Sequence, residues 1–123
     1  MEEAQLERLS GYKLLGKFTI VRIRLTHEPL VDAIGREAVA RTRIIGLNFD
    51  IELRRLSADE ISISLYHEIL EAATVAIAAP PAAVAMFNEA DFERAARDAH
   101  AQLGRANAEN LDRMLHSFGF REQ

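Results

Sequence analysis

The segment 66–71 (YHEILE) brings together residue types that hold and use a divalent metal ion. If the segment is helical, His67 and Glu71 project from the same side, because residues four apart are neighbours on a helix surface. Glu68 lies one position around the helix, where a carboxylate acts as general base on a water that the metal activates. Because a carboxylate ligand weakens a site's preference for zinc over harder metals, the pattern indicates zinc or another divalent metal.

A zinc enzyme also needs a third protein ligand and an open position for water. The next candidate helix begins at Asn88 and carries Glu89, Glu93 and His100 along one flank, since offsets of four and seven return to the same side. If this helix packs against the one that bears His67, a carboxylate or imidazole from it completes a three-ligand set. The same acidic residues also fit a simpler role, which is to complement the positive end of the helix dipole.

These side chains can meet only if the second half of the chain is helical. The residues at 57–60 (SADE) match a capping box, and a helix is predicted over about 58–78. Asn88 is predicted to cap a second helix that runs to Leu103, and Asn107 to cap a third. The metal ligands would therefore lie on two neighbouring helices.

The first half of the chain is rich in β-branched residues and predicts strands. Segment 17–25 (KFTIVRIRL) has strand composition, and segment 45–53 (IGLNFDIEL) alternates apolar and polar residues throughout. Strands followed by helices predict an α+β fold in a single domain, 1–123, that is strand-rich over 12–55 and helical over 57–120. In such a fold the three C-terminal helices pack on one face of a small antiparallel sheet.

A strand, a helix with the pattern His-Glu-x-x-ligand, and a helix led by Asn-Glu resemble the zincin metallopeptidases of the Glu-ligand type. The compact bacterial members are nearest in size, and the resemblance covers about residues 44–100. It implies these roles: His67 as a metal ligand, Glu68 as the general base, Glu71 in place of the family's second histidine, and Glu89 as the third ligand. It also implies that a peptide substrate pairs with the edge strand 45–53.

Composition excludes several other functions. The chain has no cysteine, so a disulfide, a thiolate metal site and a cysteine nucleophile are excluded. Fifteen basic and nineteen acidic residues give a net charge of −4, which offers no footprint for nucleic acid. The N-terminus is acidic, and the least polar run, 72–86, is too short to span a bilayer. We therefore expect a cytoplasmic protein without a membrane segment.

Two alternatives to a metal site remain open on the sequence alone. His67 and Glu71 share one helix sector with Glu60, Ser64 and Thr74, and this sector is either a solvated polar face or holds a buried polar pair. The protein is then a non-catalytic interaction module or a homo-oligomeric scaffold, with a peptide or protein partner and no metal. The strand arginines similarly fit cross-strand ion pairs on a solvated sheet face or an anion site; they are Arg22, Arg24, Arg41, Arg43, Arg54 and Arg55.

Overall fold

The computed structural model describes residues 3–31 and 34–122, and it confirms an α+β fold. In these residues the strands are β1 (Lys13–Leu14), β2 (Phe18–Thr26), β3 (Leu30–Val31), β4 (Glu37–Ala38), β5 (Ala40–Ile45) and β6 (Asn48–Arg54). The helices are α1 (Glu3–Glu7), α2 (Ala58–Ala76), α3 (Glu89–Leu103) and α4 (Ala108–Ser117). The strands thus precede the three long helices, as predicted.

The main sheet has the strand order β1-β2-β6-β5, and β3 and β4 form a separate two-stranded hairpin. The expectation of a purely antiparallel sheet is wrong in one pair, because β2 and β6 run parallel. The chain leaves β2, forms the β3–β4 hairpin and then β5, and returns to place β6 between β2 and β5. A parallel neighbour requires such a long connection, and here it consists of strands and turns.

The predicted strand 45–53 is in fact a turn followed by β6. Gly46 has a φ of +61°, which is typical of the first central residue of a tight hairpin turn. Ile45 pairs with Asn48 across this turn, so the chain reverses between them. Consequently β6 is an interior strand, and the edge strands of the described sheet are β5 and the short β1. The placement of a substrate peptide on 45–53 is therefore wrong.

The alternation of β6 divides the molecule into an inner and an outer side. Phe49, Ile51 and Leu53 are fully buried against the helices, while Asp50 and Glu52 lie on the outer face of the sheet. Among the fully buried side chains that α2 adds to this core are Leu65, Tyr66, Ile69 and Leu70. Residues next to His67 and Glu68 in sequence thus anchor α2 on the sheet.

Helix α2 begins as predicted, with the Ser57 side chain accepting a hydrogen bond from the Glu60 backbone at 3.2 Å. Helix α3 begins at a complete capping box formed by Asn88 and Asp91. Helices α2 and α3 pack against each other, and alanines are buried on both of them; they are Ala72 and Ala73 on α2 and Ala95, Ala96 and Ala99 on α3. No helix of the described residues is long and apolar enough to cross a bilayer.

Candidate metal centre

A cleft opens between the edge strand β5, the β3–β4 hairpin and the first turns of α3, with α2 as its floor. One half of the cleft has a volume of about 640 Å³ and apolar walls that include Ile44 and Val75. The other half, of about 480 Å³, contains His67 and Glu93. Glu68 and Glu89 line both halves, so these carboxylates lie where the two halves join.

His67 is held between two carboxylates of α3. Its Nε2 lies 3.2 Å from Glu89 Oε2, and its Nδ1 lies 2.9 Å from Glu93 Oε1. The ring packs against Phe92, with 6.2 Å between ring centroids, and only 12% of the His67 side chain is exposed. The imidazole is therefore fixed in orientation, with one nitrogen toward each carboxylate.

The surroundings of Glu71 and Glu89 favour one proton held between the two carboxyl groups. Burial raises the pKa of Glu71 to about 8, and the hydrogen bond to Glu89 and the negative charges of Glu89 and Glu68 act in the same direction. The same hydrogen bond, with help from His67 and Arg36, holds the pKa of Glu89 below its usual value. At neutral pH Glu71 is consequently the protonated donor and Glu89 the ionised acceptor. A proton here does what a bound cation can also do, which is to reduce repulsion between carboxylates.

Glu68 points toward the strand side of the cleft. Thr42 of β5 donates a hydrogen bond from Oγ1 to Glu68 Oε1 at 2.8 Å, which fixes the direction of the carboxylate. Burial raises the pKa of Glu68, and the Thr42 hydrogen bond opposes part of that rise. A carboxylate with a raised pKa is a stronger base than one in water, as general base catalysis requires.

The spacing of these groups suits a small divalent ion. Donor atoms of His67, Glu68 and Glu71 lie within 4.8 Å of one another. Two ligands of a tetrahedral zinc ion with bonds of about 2.0–2.1 Å are about 3.3 Å apart, and the His67–Glu89 separation is 3.2 Å. The imidazole and carboxylate donors also belong to the set that zinc and harder divalent metals accept. Glu71 has to lose its proton before it can bind a metal.

His100, the fourth predicted ligand, is not in this cluster. Its Nδ1 lies 2.9 Å from Ser62 Oγ, and its Nε2 lies 3.5 Å from Asp59. Because α2 and α3 are antiparallel, later turns of α3 face earlier turns of α2. His100 is eleven residues beyond Glu89, which is about 16 Å along a helix axis. Glu89 and His100 lie on the same flank of α3, but they are too far apart to bind the same ion.

The polar sector of α2 is not a solvated face at this point, since Ser64 is buried and His67 nearly so. No sequence pattern pointed to Thr42, which reaches Glu68 only because β5 lies beside α2. Glu93 was recognised only as a member of the acidic flank, and its contact with His67 depends on the packing of the helices. The cluster therefore joins three predicted ligands, the predicted base and these two further residues.

Comparisons of the chain with protein-family models, with curated proteins and with solved structures find no match. The resemblance to zincins therefore rests on the motif itself, and the function has to be argued from the geometry of the cleft.

Proposed function

We propose that this protein is a metal-dependent hydrolase of peptide bonds, with zinc or another divalent ion held by His67, Glu71 and Glu89. The observation that carries the proposal is that donor atoms of His67, Glu68 and Glu71 lie within 4.8 Å of one another, with Glu89 3.2 Å from His67. They come from two helices and are supported by a strand. Carboxylates crowded into a partly desolvated cleft, with perturbed pKa values, are typical of functional sites.

The chemistry is divided among the residues of the cleft. A divalent metal, when bound, polarises the carbonyl of the scissile amide and lowers the pKa of a water. Glu68 takes a proton from the attacking water and passes it to the nitrogen of the leaving amine, so that one water is added across the amide bond. The hydrogen bond from Thr42 keeps the Glu68 carboxylate in one orientation during both proton transfers.

The substrate class follows from the strand that forms one wall. β5 is an edge strand of the described sheet, and its residues Ala40, Arg41 and Thr42 all line the cleft. The Arg41 side chain points to Glu52 on the outer face of the sheet. The part of Arg41 that lines the cleft is therefore its backbone. An exposed strand edge binds an extended peptide through main-chain hydrogen bonds. This favours a peptide or an unstructured protein segment as the substrate.

Zinc binding and peptide hydrolysis, measured on the wild type and on Glu68→Gln, test the proposal. The wild type is expected to bind one zinc per chain and to cleave a mixture of unstructured peptides. Glu68→Gln is expected to keep the zinc and lose cleavage by about 100-fold or more, since a general base contributes on that order. His67→Ala is expected to lose both.

His116→Ala is the matched control, because His116 is an exposed histidine on another helix. It is expected to retain zinc and activity. Hydrolysis that survives in Glu68→Gln contradicts the role of Glu68. If the wild type binds no metal but binds peptides through β5, the protein is instead the interaction module, and the proposal is wrong.

A further inference from the structure

The two nitrogens of His67 face carboxylates at different distances, and this difference separates their roles. The Nε2 to Glu89 distance of 3.2 Å matches the separation of two ligands around one ion. The Nδ1 to Glu93 distance of 2.9 Å is that of a charge-assisted hydrogen bond. An ionised carboxylate can only accept, so Nδ1 carries the proton that it donates to Glu93.

The proton on Nδ1 determines what Nε2 can do. A neutral imidazole has one N–H and one lone pair. With one proton held at Nδ1 by Glu93, Nε2 is the nitrogen left to face Glu89 and the junction of the cleft. A proton that Nε2 donates to the ionised Glu89 is the one that a metal ion would replace. A carboxylate partner also makes the ring a stronger donor to a metal than a neutral partner does.

Glu93 is itself held in place by charged neighbours. Its Oε2 forms an ion pair with Arg97 Nε at 2.9 Å, and Arg97 Nη2 in turn lies 3.3 Å from Glu60 of α2. The chain Glu60–Arg97–Glu93–His67 thus crosses from α2 to α3 and back. Phe92 packs beside the imidazole and limits its rotation.

We propose that Glu93 is a positioning residue of the metal centre: it sets the tautomer of His67 and strengthens Nε2 as a ligand. The inference rests on the proposed function for its metal, but the tautomer can be measured without one. Glu93 touches neither the substrate nor the reacting atoms in this account, and it acts through His67 alone.

Two measurements on Glu93→Gln and Glu93→Ala test this inference. Competition with a chromogenic chelator gives the zinc affinity, and long-range ¹H–¹⁵N spectra of the metal-free protein give the tautomer of the neutral His67 ring. We expect about tenfold weaker zinc binding for Glu93→Gln, whose amide oxygen still accepts from Nδ1, and up to about 100-fold for Glu93→Ala. The spectra are expected to show Nδ1–H in the wild type and a shift toward Nε2–H in Glu93→Ala.

Asp98→Asn is the matched control, since it removes one negative charge from the same helix at a residue that faces the α3–α4 groove. It is expected to leave affinity and tautomer unchanged, and circular dichroism shows whether each variant is folded. If the wild type binds zinc and the zinc affinity of Glu93→Ala is within twofold of the wild-type affinity, the proposed role of Glu93 is wrong. If the wild type binds no zinc, the proposed function fails, and an unchanged tautomer in Glu93→Ala still decides against Glu93 separately.

Discussion

The outer face of the sheet and the cleft both concentrate charged side chains, but they neutralise them in opposite ways. On the outer face Asp50 pairs with Arg22 at 2.9 Å, and Glu52 pairs with Arg41 at 2.6 Å. The hydrogen bonds from these arginines hold the pKa values of Asp50 and Glu52 below their usual values. The sequence-based interpretation of these arginines as members of cross-strand ion pairs is confirmed for this face.

In the cleft the pKa values of Glu68 and Glu71 move the other way, because burial and neighbouring carboxylates both disfavour the charged form. A surface of matched ion pairs needs no ligand to be stable. In a cleft where carboxylates face one another, a bound cation reduces the repulsion between them and so stabilises the folded protein. This difference favours the cleft, and not the arginine-rich face, as the place where the protein functions.

The largest expected effect is the pH dependence of zinc affinity. Because Glu71 has a pKa of about 8 in the metal-free protein, zinc must displace its proton at any lower pH. The apparent affinity is therefore expected to fall by about tenfold per pH unit below pH 8, and Glu71→Gln is expected to bind zinc weakly at every pH. Calorimetry in buffers of different ionisation enthalpy measures the released proton, and zinc binding without proton release at pH 7 contradicts the shared proton.

A second prediction concerns the stability of the metal-free protein. The folded state holds a proton on Glu71 that the unfolded chain loses near pH 4.5, so the free energy of unfolding falls as the pH rises from about 4.5 to about 8. Glu71→Gln keeps a donor for Glu89 but cannot ionise. It is expected to flatten this dependence and to stabilise the protein at pH 8 by roughly 1 kcal/mol, a figure discounted for solvent screening. Urea unfolding at several pH values measures it, and a wild type whose stability rises over this range contradicts the prediction.

The smallest effect is expected on the outer face. The lowered pKa of Asp50 means that its pair with Arg22 contributes stability at neutral pH and loses it as the pH falls below about 4. A double-mutant cycle of Arg22→Gln and Asp50→Asn is expected to give a small coupling that decreases with added salt. A coupling that is large and insensitive to salt would remove the contrast between a screened surface and a desolvated cleft.

Local spacing was enough to predict much of the fold and part of the site. The caps at Ser57, Asn88 and Asn107 predicted where the helices begin, and helical spacing placed His67 beside Glu71. The alternation of 45–53 did not reveal the turn at Gly46, because a glycine at a polar position also fits a strand. The edge position was therefore assigned to β6, whereas it belongs to β5.

Contacts between elements were harder to predict than the elements themselves. His100 was placed with Glu89 because both lie on one flank, but the antiparallel packing of α2 and α3 separates them along the axis. Thr42 reaches Glu68 through the register of β5, about which the helix sequence carries no information. The sequence thus indicated the ligands on each helix, and the packing determined which of them meet.

The central claim is that one divalent ion binds between His67, Glu71 and Glu89. Anomalous diffraction from crystals grown with one equivalent of zinc at pH 8 tests it most directly. We expect a single strong peak about 2.0–2.2 Å from His67 Nε2 and from carboxylate oxygens of Glu71 and Glu89, with Glu93 still on Nδ1. Full zinc occupancy at another position, such as His100 with Asp59, or no peak in the cleft, would contradict it.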